Sequence, residues 1–415
     1  MNGEKKYIYL DHAATTAVRP EVLEAMLPYF TEYYGNPSSI YSMSSEPRRA
    51  IAKARARVAK VLRVSEKEIY FTGGGSESDN WVLLAAAEAG AKRLAEGSPE
   101  LQSAVKREKE IPAGKHIITT KIEHHAILHT CEYLEDRGFE VTYLDVDSSG
   151  RIRTEDLEAA IRPDTVLICV MAANNEIGTV QPLAEIGAIA KKYGILFYTD
   201  AVQAFAHMDL PVREWGIDLL GASAHKFGGP RGVGFLYIRR GVKIRSFIHG
   251  GAQERGRRAG TENTPGIVGL GAAAELAMQE LAENTRKERE LRDYLVSRVL
   301  SEIPDSRLNG PAVPDTAGLR LANNANFSFA GVDGESLLIM LDMEGICASG
   351  GSACAAGSLE PSHVLLAIGV PEVLAQAAVR MTVGPENTKE EIDRAVEVLA
   401  ESVKTLRERS GYRGK

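Results

Sequence analysis

The sequence predicts an α/β protein with a mostly parallel sheet covered by helices on both faces, followed by a second, smaller domain. Three observations carry this. Between about residues 60 and 240, short apolar runs alternate with helix-forming stretches, the pattern of successive βα units. The chain has 415 residues and is 44% hydrophobic, enough for two or three domains with sizeable cores. After Thr264 the strand–helix alternation gives way to a long helical stretch and then to mixed segments.

The elements follow in order. Tyr7 to Leu10 reads as a short strand entering a polar loop. Pro20 to Tyr29 reads as a helix, with proline at a tolerated first-turn position. GNPSS at 35–39 is loop, and Pro47 to Leu62 is an amphipathic helix. Ile69 to Thr72 is a strand, followed by three glycines and a helix opening at Ser76. The polar stretch from Ala91 to Lys115 reads as surface helical excursions. Ile117 to Thr119 is a strand and Ala126 to Asp136 a helix. VTYLDVD, TVLICVMAANNEIG, ILFYTDAVQ, IDLLGASAHKF and VGFLYIR supply further strands. Ile267 to Leu300 is helical and is expected to break somewhere. A strand at Ala325 to Phe329, a helix at Glu335 to Met343, a glycine-rich loop at 345–357 and a helix at Glu390 to Arg407 complete the chain. Residues 16–264 are expected to form the large domain. Residues 265–415 form the small one, joined by the N-terminal segment 1–15.

Composition narrows the function classes. The net charge of −7 argues against a general nucleic-acid binder, so no direct nucleic-acid binding is expected. The basic groups at Lys53 to Arg63 and Arg239 to Arg245 are interrupted by apolar residues and read as solvated faces. The four cysteines contain no CxxC and no disulfide spacing, so a reducing compartment is expected. No run approaches the ~20 apolar residues of a membrane span. The N-terminus has no apolar signal segment. A cytoplasmic protein without membrane association is the expectation.

Several residues could carry chemistry. Gly75 and Ser76 lie at a glycine turn opening a helix, where N–H groups and a hydroxyl suit a phosphate; an ordinary N-cap would look the same. Neither the Rossmann fingerprint nor a P-loop is present. Lys226 follows an apolar run and precedes a glycine-rich turn. Reduced exposure there would favour its neutral amine, which can form a Schiff base. Asp200 ends an apolar run and could keep a pyridine nitrogen protonated, or merely cap the next helix. Gln203 lies three residues on and could share that side. His124 and His125 could stack on a flat ring or move a proton. With His129 nearby a zinc site is also open, but HHxxxH lacks a completing ligand pattern. Asn175 follows another apolar strand and reads as a turn or a ligand contact. Arg380 could fork onto a carboxylate, or form a structural ion pair. Cys354 sits among small residues in ASGGSACAAGS, with no neighbouring base in sequence to activate it. Cys131 and Cys169 read as structural.

Taken together and in order, YLDHAATT, GNPSS, FTGGGSESDN, EHHAI, NNEIGTVQP, TDAVQ, SAHKFGGPRGVG, RRAGTEN, GSACAAGSLEPSHVL and VRMTVGPENTKEEID resemble the NifS/IscS-like cysteine desulfurases of the class V aminotransferase family. The resemblance covers nearly the whole chain. It implies a pyridoxal 5'-phosphate (PLP)-dependent transferase of fold type I, with a smaller α+β domain. It implies that Lys226 forms a Schiff base with PLP, Asp200 holds the pyridine nitrogen, Gln203 the phenolate oxygen, and His124 stacks on the ring. Asn175 would touch cofactor or substrate, and Arg380 the substrate carboxylate. Gly75, Ser76, Ser223 and His225 would hold the phosphate. Thr261 would reach it across a homodimer interface. L-cysteine would be converted to L-alanine, with sulfur passing through a Cys354 persulfide to an iron–sulfur scaffold or another acceptor protein.

The chain departs from the family pattern in places. His12 stands where asparagine is usual, and YSMS at 41–44 replaces an HSFG-like sequence. Gly350 and Gly351 enrich the cysteine loop, Ala355 and Ala356 replace hydroxyl residues, and Met381-Thr382 replace Phe-Ser. The cysteine surroundings resemble the GSAC group with a longer loop. A selenocysteine lyase would share almost every residue. An aminotransferase would not need Cys354, and a noncatalytic sulfur-pathway scaffold would not need the Lys226, Asp200 and Cys354 set.

Overall fold

The computed structural model describes residues 7–96, 111–315, 317–350 and 360–414. Twelve strands among these are β1 (Ile8–Tyr9), β2 (Ile69–Thr72), β3 (His116–Thr120), β4 (Glu140–Leu144), β5 (Thr165–Cys169), β6 (Leu196–Asp200), β7 (Leu219–Ser223), β8 (Gly234–Ile238), β9 (Ser306–Leu308), β10 (Asn324–Phe329), β11 (Ile346–Cys347) and β12 (Ala378–Thr382).

Seven strands form one sheet in the order β2-β8-β7-β6-β5-β3-β4. Only β8 runs against the others, pairing antiparallel with both β2 and β7. The central strands β5, β6 and β7 are buried along their whole length. This is why they read as near-continuous apolar runs rather than as alternating ones. Successive residues still face opposite cores. Ile168, Phe197 and Leu220 pack on one side with Ile267 and Leu270. Leu167, Tyr198 and Leu219 pack on the other with Trp81 and Leu83 of the helix Gly75–Ala95. Edge strand β4 opens with the exposed Glu140.

A three-stranded antiparallel sheet, β12-β10-β9, lies in the C-terminal part of the chain. Leu295 and Val299, with Ile392, Val396 and Leu399 of the helix Lys389–Ser410, build its core. The N-terminal strand β1 pairs in parallel with β11, and Asp11 bridges to Thr382 of β12. The chain then passes through Ala13–Thr16 toward the large sheet.

Two elements differ from the sequence expectation. The stretch from Pro20 divides into the helices Pro20–Met26 and Pro28–Thr31, because Pro28 has no N–H to continue the first. The expected break in the long helix is absent: Thr264–Glu302 is a single helix of 39 residues, capped by the Asn263 side chain. Its glycines all lie near its start, and they serve contact rather than bending. A Cβ at Gly271 would meet the Ala54 backbone at 2.6 Å, so glycine lets this helix lie against the helix Ser45–Val61. The first half of the long helix packs on the large-sheet core and the second half on the small-sheet core. No helix among the described residues is long and apolar enough to cross a membrane.

Candidate active site

Five segments leave the C-terminal ends of β2, β3, β5, β6 and β7, where α/β sheets collect ligands. They border a cavity of ≈ 370 Å³ lined by Gly75, Ser76, His124, Asn175, Asp200, Gln203, Ser223, His225, Lys226 and Arg380, among others. Residues spread over more than 300 positions of sequence thus meet in one place. Two expected site residues do not line it. Thr261 is exposed, in the segment before the long helix. Cys354 lies outside the described residues.

After β2 the chain turns at Gly74, whose φ of +154° suits glycine, and enters a helix at Gly75. The N-terminal N–H groups of this helix and the Ser76 hydroxyl thereby reach the cavity. Ser223, at the end of β7, faces the same turn: its Oγ lies 3.6 Å from where a Cβ on Gly74 would stand. His225 Nδ1 lies 3.1 Å from Thr15 Oγ1. Burial, then the nearby Lys226 and Arg231, push its imidazole down to about 4, so it is neutral near pH 7.

Lys226 Nζ donates to the carbonyls of Ala13 and Ala14 at 2.6 and 2.8 Å. Gln203 Nε2 donates to the same Ala13 oxygen at 3.0 Å. The N-terminal segment therefore reaches into the site and holds the amine. Asp200 is 6% exposed and accepts the Val202 N–H at 2.8 Å. Burial raises its carboxyl to about 6, against the opposing effects of that hydrogen bond and of Lys226. A buried carboxylate of this kind favours a cationic partner. Asp79 also lines the cavity; fully buried, it accepts the Tyr198 hydroxyl at 2.5 Å.

His124 caps the helix His125–Glu135, its Nδ1 accepting the Ala126 N–H at 3.1 Å. That bond assigns the proton of the neutral ring to Nε2. Burial first, then Lys226 and neighbouring histidines, push its pKa down to about 4. His125 stacks on His129 with ring centroids 4.9 Å apart and lies 4.8 Å from His363. Among the described residues no three His, Cys, Asp or Glu groups are arranged to hold a metal ion.

Arg380, on β12, is 1% exposed. It donates to the Asn175 carbonyl at 2.9 Å and to Asp11 Oδ1 at 2.8 Å, while its Nε has no hydrogen-bond partner among the described residues. Ser349 Oγ donates to the same Asp11 oxygen at 3.1 Å, and the backbones of Ser349 and Arg380 exchange two hydrogen bonds. Glu176 is buried and accepts the Ser362 hydroxyl at 2.5 Å; burial lifts its carboxyl to about 7.

Sequence reasoning did not single out Asp11, Asp79 or His363 as site residues. Asp11 and Asp79 stand within the motifs YLDHAATT and GSESDN, which was the only signal available. His12, which stands where asparagine is usual, lines a different cavity.

As a donor set, the cavity suits a phosphorylated, flat, nitrogen-containing ring bearing an aldehyde. Hydroxyls and helix N–H groups can take the phosphate. Asp200 can pair with a protonated ring nitrogen, His124 can lie on a ring face, and the Lys226 amine can condense with the aldehyde. The unsatisfied Nε of Arg380 offers a further donor to a carboxylate.

The aminotransferase class-V family model matches residues 8–98 and 100–395. A cysteine desulfurase IscS of Methanosarcina thermophila is 53% identical over 410 residues, 99% of this chain and 95% of that protein. A cysteine desulfurase IscS of Clostridium botulinum (strain Hall) is 52% identical over 405 residues, 98% of this chain and 96% of that protein. A solved structure described as a NifS-like protein superposes with a TM-score of 0.85 at 39% identity, covering 96% of this chain and 100% of the other. The matched length, the sheet order and the assembled motifs agree, and the chain belongs to the class-V aminotransferase family, among its NifS/IscS-like cysteine desulfurases.

Proposed function

We propose that this protein is a PLP-dependent cysteine desulfurase. It converts L-cysteine to L-alanine and carries the sulfur as a persulfide on Cys354. The observation that carries the reading is the convergence of Lys226, Asp200, Gln203, His124 and Arg380 on one cavity at the ends of the parallel strands.

PLP, when bound, supplies an electron sink for the substrate α-carbon. Gly75, Ser76, Ser223 and His225 would hold its phosphate, Asp200 its ring nitrogen, Gln203 its phenolate oxygen, and Lys226 its aldehyde carbon. Asn175 contacts cofactor or substrate. Neutral His124 covers the ring without adding charge. Arg380 binds the substrate carboxylate, its fork already oriented by Asp11 and the Asn175 carbonyl. Lys226, as a free amine, would take the α-proton. The Cys354 thiolate attacks the substrate sulfur. An S–S bond forms as the Cβ–S bond breaks, and the electron pair stays with the carbon fragment. Proton uptake at Cβ and return of a proton to Cα complete L-alanine. The persulfide sulfur then passes to an acceptor protein, such as an iron–sulfur scaffold.

The same reading makes the enzyme a homodimer, with Thr261 of one protomer reaching the phosphate in the other. Exposure of Thr261, away from its own chain's cavity, supports this. It also divides the chain into a segment 1–15 joined to the small domain, a large domain 16–264 and a small domain 265–415. The β1–β11 pairing supports the first assignment.

The test is to incubate PLP-loaded protein with L-cysteine, measure alanine and sulfide, and examine Cys354 by mass spectrometry. Alanine together with one added sulfur on Cys354 is the expected result. Bound PLP without either product would overturn the reading.

A further inference from the structure

Two elements carry the two ends of the active-site cavity. The helix Gly75–Ala95 brings Gly75 and Ser76 to the phosphate end, and β6 brings Asp200 to the end suited to a ring nitrogen. Asp79 follows Ser76 by three residues and Gly75 by four, so the three positions share one face of that helix. Tyr198 precedes Asp200 by two residues, so their side chains share one face of the sheet. The Tyr198 hydroxyl donates to Asp79 Oδ1 at 2.5 Å, which ties the helix to β6.

The neighbouring strand β7 makes room for this bond. Gly221 of β7 stands beside Asp200 in the sheet. A Cβ there would lie 2.5 Å from the Tyr198 hydroxyl and 3.0 Å from Ser78 Cβ, so glycine lets the tyrosine reach the helix and the helix lie close to the strand. Tyr198 is 0% and Asp79 1% exposed, so water does not compete for the bond. Burial, and then the nearby Asp200, raise the Asp79 carboxyl well above the usual carboxylate range, which favours its neutral form. The bond needs no charge, because a neutral carboxyl accepts through its carbonyl oxygen as an amide does. Among the described residues no donor meets the other Asp79 oxygen, so Tyr198 alone fixes this side chain at the cavity wall. PLP carries its phosphate and its ring nitrogen on one small, stiff frame. It can engage both ends at once only if the helix and β6 keep one separation.

On the reading of this cavity as a PLP site, we propose that Asp79 is a positioning residue for the cofactor: its hydrogen bond with Tyr198 fixes the phosphate end of the cavity relative to the nitrogen end, so that one ligand spans both.

The test is PLP binding to the cofactor-free full chain, followed by absorbance titration without cysteine. Tyr198→Phe removes the donor and Asp79→Leu the acceptor, whereas Asp79→Asn keeps an accepting carbonyl. PLP should bind about tenfold more weakly to Tyr198→Phe and to Asp79→Leu, which is what one buried hydrogen bond carries. Asp79→Asn should stay within about threefold of the wild type. Combining Asp79→Leu with Tyr198→Phe should weaken binding no further than the worse single change, because both remove the same bond. Pyridoxal lacks the phosphate and engages the nitrogen end only, so Tyr198→Phe should leave its affinity unchanged. Thermal melting of the cofactor-free proteins shows which variants fold; if Asp79→Leu does not, Tyr198→Phe decides. Equal PLP affinity in the wild type and folded Tyr198→Phe, an Asp79→Asn variant as weak as Tyr198→Phe, or an equal loss for pyridoxal would overturn the proposal. A wild-type chain that takes up no PLP would overturn the reading of the cavity and the role of Asp79 with it. PLP uptake without turnover of cysteine would leave that role standing, since binding is read directly.

Discussion

Arg380 and Asp11 form an ion pair at 2.8 Å across 369 residues of sequence, with the guanidinium side chain 1% and the carboxylate side chain 16% exposed. Asp11 also accepts from Ser349, so one carboxylate joins Arg380 to the chain that leads out of β11. A buried guanidinium needs such a partner in the absence of substrate.

Arg380→Lys keeps the charge but loses the planar fork. A lysine ammonium cannot hold the Asn175 carbonyl, Asp11 and a substrate carboxylate in the same geometry. On the proposed function, kcat/KM for L-cysteine should fall about 10- to 100-fold, chiefly through KM, because one charged hydrogen bond carries about 1.5–3 kcal/mol. Steady-state kinetics at matched PLP occupancy would check it. An unchanged KM would remove Arg380 from the substrate.

His124, held near 4 by burial and by Lys226, stays neutral across the working range. Its ring resonance should not titrate between pH 5 and 8 in ¹³C-histidine NMR, with His124→Gln used for assignment. The same variant should lower kcat by about a hundredfold if the ring takes part in proton transfer. A titration midpoint near the ordinary histidine value would contradict the buried environment described above.

Glu123 is fully buried, accepts the Thr120 hydroxyl at 2.8 Å and the Met171 N–H at 3.0 Å, and is raised by burial to about 8. A carboxyl whose pKa is higher folded than unfolded binds more protons in the folded state. Its stabilising contribution is full below the unfolded value of 4.5 and is lost as pH rises toward about 8. Glu123→Gln should therefore flatten the fall of Tm between pH 5 and 8, with the variant gaining a few degrees on the wild type at pH 8. Scanning calorimetry across that range would show it. Parallel pH curves for the two proteins would rule out Glu123 as a source.

Cys131 and Cys169 are both 0% exposed, and burial pushes the Cys131 thiol up to about 12. Neither thiol is available as a nucleophile near neutral pH. Brief alkylation of native protein should leave both unmodified, and the sulfur adduct after cysteine turnover should map to Cys354. Peptide mass spectrometry distinguishes the sites. Sulfur on Cys131 or Cys169 would refute the structural role given to them.

The sequence by itself determined the alternation of strands and helices, because burial on both sheet faces leaves apolar runs such as TVLIC and LFYT that need no tertiary information to be read. It also pointed to most of the residues that line the cavity, since Gly75, Asp200 and Lys226 each sit at or just after a strand end, and parallel strands bring those ends to one edge. What it could not supply was the company each residue keeps. The Arg380–Asp11 pair, the Ala13 and Ala14 carbonyls on Lys226, and the Ser362 hydroxyl on Glu176 join residues more than 180 positions apart. The unbroken helix Thr264–Glu302 was likewise decided by packing, since Gly269 and Gly271 meet Met26 and Ala54 of neighbouring helices. His12 reads in sequence as a change within a catalytic motif, yet the turn of the chain at Ala13 sends its ring to the other cavity. Local propensity and burial pattern act over a few residues. Long-range hydrogen bonds and cavity walls exist only once the two sheets and the N-terminal segment have come together.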